Sequence, residues 1–528
     1  MRVRAVFLSL LLLFICGDSW SKEKPQPKAD PETATARYLD SIRDQPSLLL
    51  DFVHELPKGG DLHNHLVGAI YAEDFIHWAA DDNFCLSRPT STFLATGCTA
   101  DANLSPAKQI LNDANLYQQV INALSMRTFS GPESGHDHFF ATFDKFGAVA
   151  HSHLGDMLAV MTQQAAADHL SYLELLISPD NGAAGHVVAD NNIAFDDNLK
   201  AMRDKLLAAG IVEKAVAATK KNLDEGEARK NQLLHCGTPQ ALPGCNVAVR
   251  YQYQVLRGLP PNIVFAQMLA AFEIAKADPR VVDLNPVMPE DAYVPMHDFD
   301  LHMRMIAFLH ELDPQVHLSL HAGELWTGLV PPHGLTYHIR ESIEMAHAQR
   351  IGHGVDVMFE DDPVGLLKEM ANRKVAVEIN LSSNDQILGV RGNQHPLPIY
   401  LLYGVPVVIS TDDQGVARSD ATQEYLRAVR DYHLSYPVLK RIVRNSLEFS
   451  FLQGESLWTD SGYAHRNSAC ASDDPSSGES SSACGEFLKQ NERARLQWRL
   501  EADLAAFEGK TCCTGGATYR PEGVGSMR

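Results

Sequence analysis

Apolar and polar positions alternate along this chain at two scales. Eight short apolar runs recur between residues 59 and 413: GGDLHNHL (59–66), SYLELLIS (171–178), VAVRYQYQVL (247–256), VVDLNPV (281–287), VHLSLHAGE (316–324), RIGHGVD (350–356), VAVEINLSS (375–383) and VPVVISTDD (405–413). Helix-like stretches lie between most of them, at 262–277, 297–312, 335–348 and 361–373. Apolar strands alternating with helices predict an α/β fold, the (β/α)8 TIM barrel. In that fold the active site stands at the C-terminal ends of the strands. Polar residues gather at those ends here.

The remaining segments complete the expected organisation. Residues 22–56 form an N-terminal helical segment, with helical spacing over 32–56 (Leu39, Ile42, Leu48, Leu49, Phe52). The barrel occupies 57–460. Residues 80–145 exceed one connecting helix and predict an inserted helical subdomain after the first strand. Residues 222–247 read as a disulfide-closed excursion. A C-terminal extension, 461–528, holds a Ser-rich linker, a helix over 485–508 and a poorly ordered end beyond Gly515-Gly516.

Composition narrows the classes. The chain has 528 residues, 45% hydrophobic and 21% charged, enough for a large core, and its formal net charge is −21. It has no basic stripe, which argues against nucleic acid or an anionic membrane as partner. Arg2 and Arg4 precede an apolar run from Ala5 to Cys16, with Ser19-Trp20-Ser21 as a small-x-small cleavage site. Residues 1–21 therefore read as a signal peptide, too short to span a membrane, and predict a periplasmic or secreted protein. Lipidation at Cys16 is the minor alternative, because bulky Ile15 precedes it. Eight cysteines would remain, and three local pairs suggest disulfides: Cys85 with Cys98, Cys236 with Cys245, Cys470 with Cys484. Buried free thiols are the alternative.

The chemistry lies in four strand ends taken together. His63 and His65 are two residues apart on one strand and face the same side. His321 ends the fifth strand and Asp412 the eighth. Three imidazoles and a carboxylate suit a single Zn2+, which makes water a nucleophile near neutral pH. Glu324, His353 and Asp413 supply groups for proton handling and substrate contact. Singly, each motif has a plainer reading: a capping turn for HAGE, a core histidine in RIGHG, a helix N-cap for Asp412-Asp413. Jointly, in barrel order, they point to catalysis.

The ordered set PKGGDLHNHL, HAGE, RIGHGVD and STDDQGV resembles the adenosine deaminase family over roughly residues 55–455. The leader, the cysteine-bearing insertion and GHDHFFATFDKFG (135–147) are most similar to the secreted growth-factor-type members. The resemblance implies hydrolytic deamination of adenosine, and of 2′-deoxyadenosine, to inosine and ammonia. It implies that His63, His65, His321 and Asp412 bind one Zn2+ and that Glu324 protonates purine N1. His353 would be the base that positions and deprotonates the attacking water. Asp413 would hydrogen-bond N7, and the backbone amide of Met288 would meet the purine. The implied partner is a small purine nucleoside, with room for a homodimer.

Two departures bear on substrate. Val67 stands where intracellular members carry an aspartate that helps hold ribose. Asn285-Pro286-Val287-Met288 replaces an Asp-Leu-Ala-Gly-type segment, with Met288 in the glycine's place. Other readings stay open on the sequence alone. They are a deaminase of another aminopurine or its nucleoside, an extracellular binding or signalling protein with a deaminase shell, and a zinc hydrolase of phosphoesters or lactams.

Overall fold

The computed structural model describes residues 30–95, 98, 103–130 and 134–514, the last three without their side chains. The expected leader, the expected poorly ordered end and the side chains of Cys512 and Cys513 lie outside the described residues.

Eight parallel strands form one sheet: Gly59–His65, Leu170–Ile177, Ala248–Leu256, Val281–Val287, His317–Ala322, Arg350–His353, Ala376–Ile379 and Val407–Ile409. Each neighbour in sequence order pairs with the next. The second strand is buried along its whole length, as parallel strands covered on both faces require. The first and eighth strands meet through two backbone bonds. The His65 N–H donates to Asp412 O at 3.0 Å and the Asp412 N–H to His63 O at 2.8 Å. Three of the candidate metal ligands therefore close the barrel with their own backbones.

Helices cover the outside. Proline at the first turn starts several of them, including Pro261–Ala277 and Pro363–Arg373, because its missing N–H costs nothing there. The helical segment before the barrel is two helices, Pro31–Ile42 and Pro46–Glu55, since Pro46 disfavours helical geometry at the residue before it. The insertion adds to its short helices a three-stranded antiparallel sheet, Cys85–Ser87, Thr92–Leu94 and Leu104–Pro106.

Residues 222–247 are not one excursion. A single helix, Ile211–Leu233, runs through the first half. Gly226 in its middle is a packing site: a Cβ there would lie 2.9 Å from Leu154 on the facing helix Leu154–Ala167. Only the turn after that helix is closed by Cys236–Cys245. Disulfides also join Cys85–Cys98 and Cys470–Cys484. The last of these sits in a small separate core with Leu457, Leu488 and Ala494. The C-terminal helix Glu492–Thr514 returns to the barrel, where Lys440 bridges Glu32 (2.8 Å) and Glu508 (2.6 Å). Among the described residues, no helix is long and apolar enough to cross a membrane.

Candidate active site

Four donor groups converge at the C-terminal mouth of the barrel. Atoms of His63, His65, His321 and Asp412 all lie within 4.8 Å of one another. His65 Nε2 is 3.2 Å from His321 Nε2. Asp412 Oδ1 is 3.5 Å from His63 Nε2 and 3.4 Å from His65 Nε2.

The outer face of each ring explains why the inner nitrogens are free to bind. His63 Nδ1 meets Glu378 Oε2 at 2.7 Å, His65 Nδ1 meets Gln254 Oε1 at 3.2 Å and His321 Nδ1 meets Asn285 Oδ1 at 2.6 Å. All three partners are acceptors, so each Nδ1 carries the proton. The neutral rings of His65 and His321 present an Nε2 lone pair inward. For His63, against its burial, the contacts with Asp412 and Glu378 raise the pKa to about 10 and hold a proton that a bound cation would displace. The Nε2 of His63 is buried without a hydrogen-bond partner. Burial lowers the pKa of His65 to about 4 and holds that of His321 well below its usual value, so both are neutral ligands. Converging lone pairs beside a carboxylate are repulsive without a cation and fit one well.

Buried polar groups fasten this arrangement. Arg350 Nε donates to Glu378 and Arg350 Nη2 to Glu174, both at 2.5 Å, inside the barrel. Asp61 ties the first strand to the eighth, accepting from Thr411 Oγ1 at 2.6 Å. Asp412 takes φ +56° and His353 takes φ +68°. Non-glycine residues seldom adopt such values, and they concentrate at functional sites.

Glu324 and His353 flank the cluster, and a second triplet, Glu324, His353 and Asp412, also comes together. Glu324 is buried and its Oε1 has no hydrogen-bond partner. Burial, then the nearby charges of Asp412 and Glu290, raise its pKa well above the carboxylate range. It is therefore an acid with a proton to give at neutral pH. Burial lowers the pKa of His353 to about 3.

A hydrogen-bond relay sets which nitrogen of His353 carries the proton. The Leu397 N–H donates to His395 Nδ1 at 3.1 Å. His395 Nε2 then donates to Asn384 Oδ1 at 3.1 Å, and Asn384 Nδ2 donates to His353 Nδ1 at 3.0 Å. Nδ1 is thus an acceptor and the neutral ring holds its proton on Nε2. The ring starts as a donor that can orient water.

Asp413 is buried against Gly68, where a Cβ would stand 1.7 Å from Asp413 Oδ1. Burial and the charges of Asp412 and Glu324 raise its pKa well above the usual range. A protonated Asp413 can donate to an acceptor such as a purine N7. Met288 has φ +97°, a backbone conformation suited to glycine. Its sulfur folds back to accept from the Gly258 N–H at 3.2 Å. Val67 lines a cavity of about 430 Å3 over the ends of the first three strands, with Leu176, Tyr253 and Gln254.

The residues that the sequence pattern does not single out are the supporting ones: Glu378, Gln254, Asn384, His395 and Glu290. Asn285 stands out in the sequence only as part of the departure at 285–288. Apart from His395, which acts on Asn384 11 residues away, these act on residues distant in sequence, so spacing carries no sign of them. Glu378, an acidic residue inside an apolar strand, offers the one local signal.

Residues 111–457, well over half of the chain, match the family model described as adenosine deaminase. The match takes in His321, Glu324, His353, Asp412 and Asp413, while His63 and His65 precede it. The probable adenosine deaminase of Dictyostelium discoideum is 23% identical over 414 residues, 78% of this chain and 42% of that protein. The adenosine deaminase of Escherichia coli (strain SMS-3-5 / SECEC) is 35% identical over 144 residues, 27% of this chain and 40% of its own. The chain spans less than half of the length of the curated relatives it matches. The apo N6-methyl-AMP deaminase from Arabidopsis thaliana superimposes with a TM-score of 0.50 at 18% identity, covering 76% of this chain and 94% of that one. That likeness is one of fold. By the extent of the family match, with the converging site residues it contains, this chain belongs to the adenosine deaminase family.

Proposed function

We propose that this protein hydrolytically deaminates adenosine and 2′-deoxyadenosine, releasing inosine or deoxyinosine and ammonia. The observation that carries the reading is Glu324, buried with its Oε1 unpartnered, beside four converging metal donors. Such a site can add water to an amino-substituted ring while protonating the ring nitrogen. Zn2+, held by His63, His65, His321 and Asp412, would supply the Lewis acidity that makes water nucleophilic near neutral pH.

The chain's own residues do the rest. Asp413 donates to N7 and fixes the purine plane. His353 orients water from its Nε2–H toward C6. Water adds to C6 as Glu324 gives its proton to N1. The hydroxyl proton on C6 then moves to the amino group, which leaves as ammonia. The proton that water shed on attack restores Glu324 over the turnover, so the balance is one water in and one ammonia out.

The cavity of about 430 Å3 joins the site through Gln254, which holds His65, and none of the donor or acid/base residues lines it. Its lining has neither lysine nor arginine, so a sugar reaching into it would find no strong cation for a 5′-phosphate. Val67 gives the sugar an apolar contact, which suits tolerance of the 2′-deoxy analogue. The three disulfides support work in an oxidising compartment, as the expected leader does. The test is a panel of adenosine, 2′-deoxyadenosine, AMP and adenine at equal concentration. The expected order places both nucleosides well ahead. AMP or adenine as the preferred substrate would overturn the assignment.

A further inference from the structure

At the opposite end of the barrel a larger cavity, about 470 Å3, opens among Phe52, Glu55, His169 and Phe507. It plays no part in the chemistry above. At its rim the rings of His54 and His169 meet edge to face, with centroids 5.8 Å apart. Glu55 lies between them: its Oε1 is 3.5 Å from His54 Nδ1 and 4.0 Å from His169 Nε2. Donor atoms of the three residues all fall within 4.8 Å of one another. Ligands at zinc distances in a tetrahedral array stand roughly 3.4 Å apart, so a small inward movement completes the geometry.

A chance meeting of surface side chains would rest on independent, mobile supports. Here one buried ammonium ties the supports together. Lys58 Nζ donates to the carbonyls of His54 (3.2 Å), Leu56 (3.1 Å) and Asp168 (2.9 Å), and the Lys58 N–H donates to His169 O at 3.0 Å. The end of helix Pro46–Glu55 and the turn into the second strand are thereby held at fixed distance. His169 takes φ +59° in that turn, a conformation that non-glycine residues adopt at some cost. The side chains of His54, Glu55 and His169 are 50%, 46% and 42% exposed, so an ion can reach all three.

The surrounding charges are mixed. The Lys58 ammonium opposes a cation, but it is turned toward backbone carbonyls and burial lowers its pKa to about 8. Asp51 and Asp503 line the same cavity and favour a cation, while Arg499, 3.8 Å from Asp503, and Lys510 line it too and oppose one. Burial, then the Lys58 charge, lowers the pKa of His169 and keeps its ring a neutral ligand.

We propose that His54, Glu55 and His169 form a second divalent-metal site, for a borderline ion such as Zn2+, that fastens the N-terminal helices to the foot of the second strand. Two imidazoles and one carboxylate are a donor set for zinc, nickel or copper rather than calcium or magnesium. One coordination position stays open toward the cavity.

The test uses full-length protein whose catalytic site already holds one Zn2+, dialysed against rising free Zn2+. Bound metal and melting temperature are read together, for wild type, His54→Gln and His169→Asn. Asparagine tolerates the left-handed backbone, and all three positions are remote from the chemistry. Wild type is expected to take up a second equivalent and to melt roughly 2 °C higher at saturation. Both variants are expected to stay at one equivalent, keep wild-type turnover and lose the shift. A wild type that stops at one equivalent, or variants that still bind a second, would overturn the proposal.

Discussion

Glu290 holds the backbone of Glu324. Its two carboxylate oxygens accept from the Gly323 N–H at 3.0 Å and the Glu324 N–H at 2.8 Å, while His338 Nδ1 meets Oε1 at 2.5 Å. The same carboxylate places a fixed negative charge near the Glu324 side chain and helps keep it protonated.

Replacing Glu290 with Gln should therefore change a pH profile as well as a rate. Removal of the anion favours ionised Glu324, so the acid form is lost at a lower pH. The alkaline limb of kcat should move down the pH scale, with metal content unchanged. An unmoved alkaline limb would mean that Glu290 does not act on Glu324. Stability has its own sign. Although burial works against its charge, the contact with His338 prevails and lowers the pKa of Glu290 from 4.5 to about 2. Its contribution is present above pH 4.5 and lost as pH falls through about 2. The stability gap between metal-free wild type and variant should close across that window.

Asn384→Asp tests the relay to His353. A carboxylate would accept from Nδ1 rather than donate to it, reversing the tautomer and favouring a charged ring. A loss of roughly 10- to 100-fold in kcat is expected, with zinc retained. Wild-type kcat in this variant would show that the tautomer of His353 is immaterial.

Gly68→Ala should displace Asp413, because the new Cβ would overlap its Oδ1. The expected effect is a fall in kcat/KM of roughly 10- to 100-fold. Substrates lacking N7 should show little further loss in the variant. A wild-type kcat/KM would remove Asp413 from substrate contact.

Much of this fold is legible in sequence because a parallel strand covered on both faces is predominantly apolar, as in LSYLELLI. The site is legible in part because His63, His65, His321 and Asp412 each stand at a strand end. What the pattern hides is tertiary. The close approach of Gly226 to Leu154 joins two helices and has no local mark. The contacts of Glu290, Asn384 and Arg350 reach partners far along the chain, and nothing local marks them. Met288 shows the reverse case: the sequence marks it as unusual, and its φ of +97° shows why glycine suits that place.

The Cys470–Cys484 bridge closes a loop of 14 residues in a small core of its own. Replacing both cysteines with alanine should cost about 3 kcal/mol and leave kcat/KM intact. A differential scanning measurement decides it, and an unchanged melting temperature would contradict a stabilising role.

The central measurement is the absorbance change from adenosine to inosine, followed for wild type and Glu324→Gln with zinc assayed in the same samples. Wild type should turn over with zinc at the catalytic site. The variant should hold the same zinc and lose roughly 1000-fold or more in kcat, since the proton for N1 is gone. A zinc-loaded variant with near-normal kcat, or a zinc-loaded wild type inert on adenosine, would contradict the assignment.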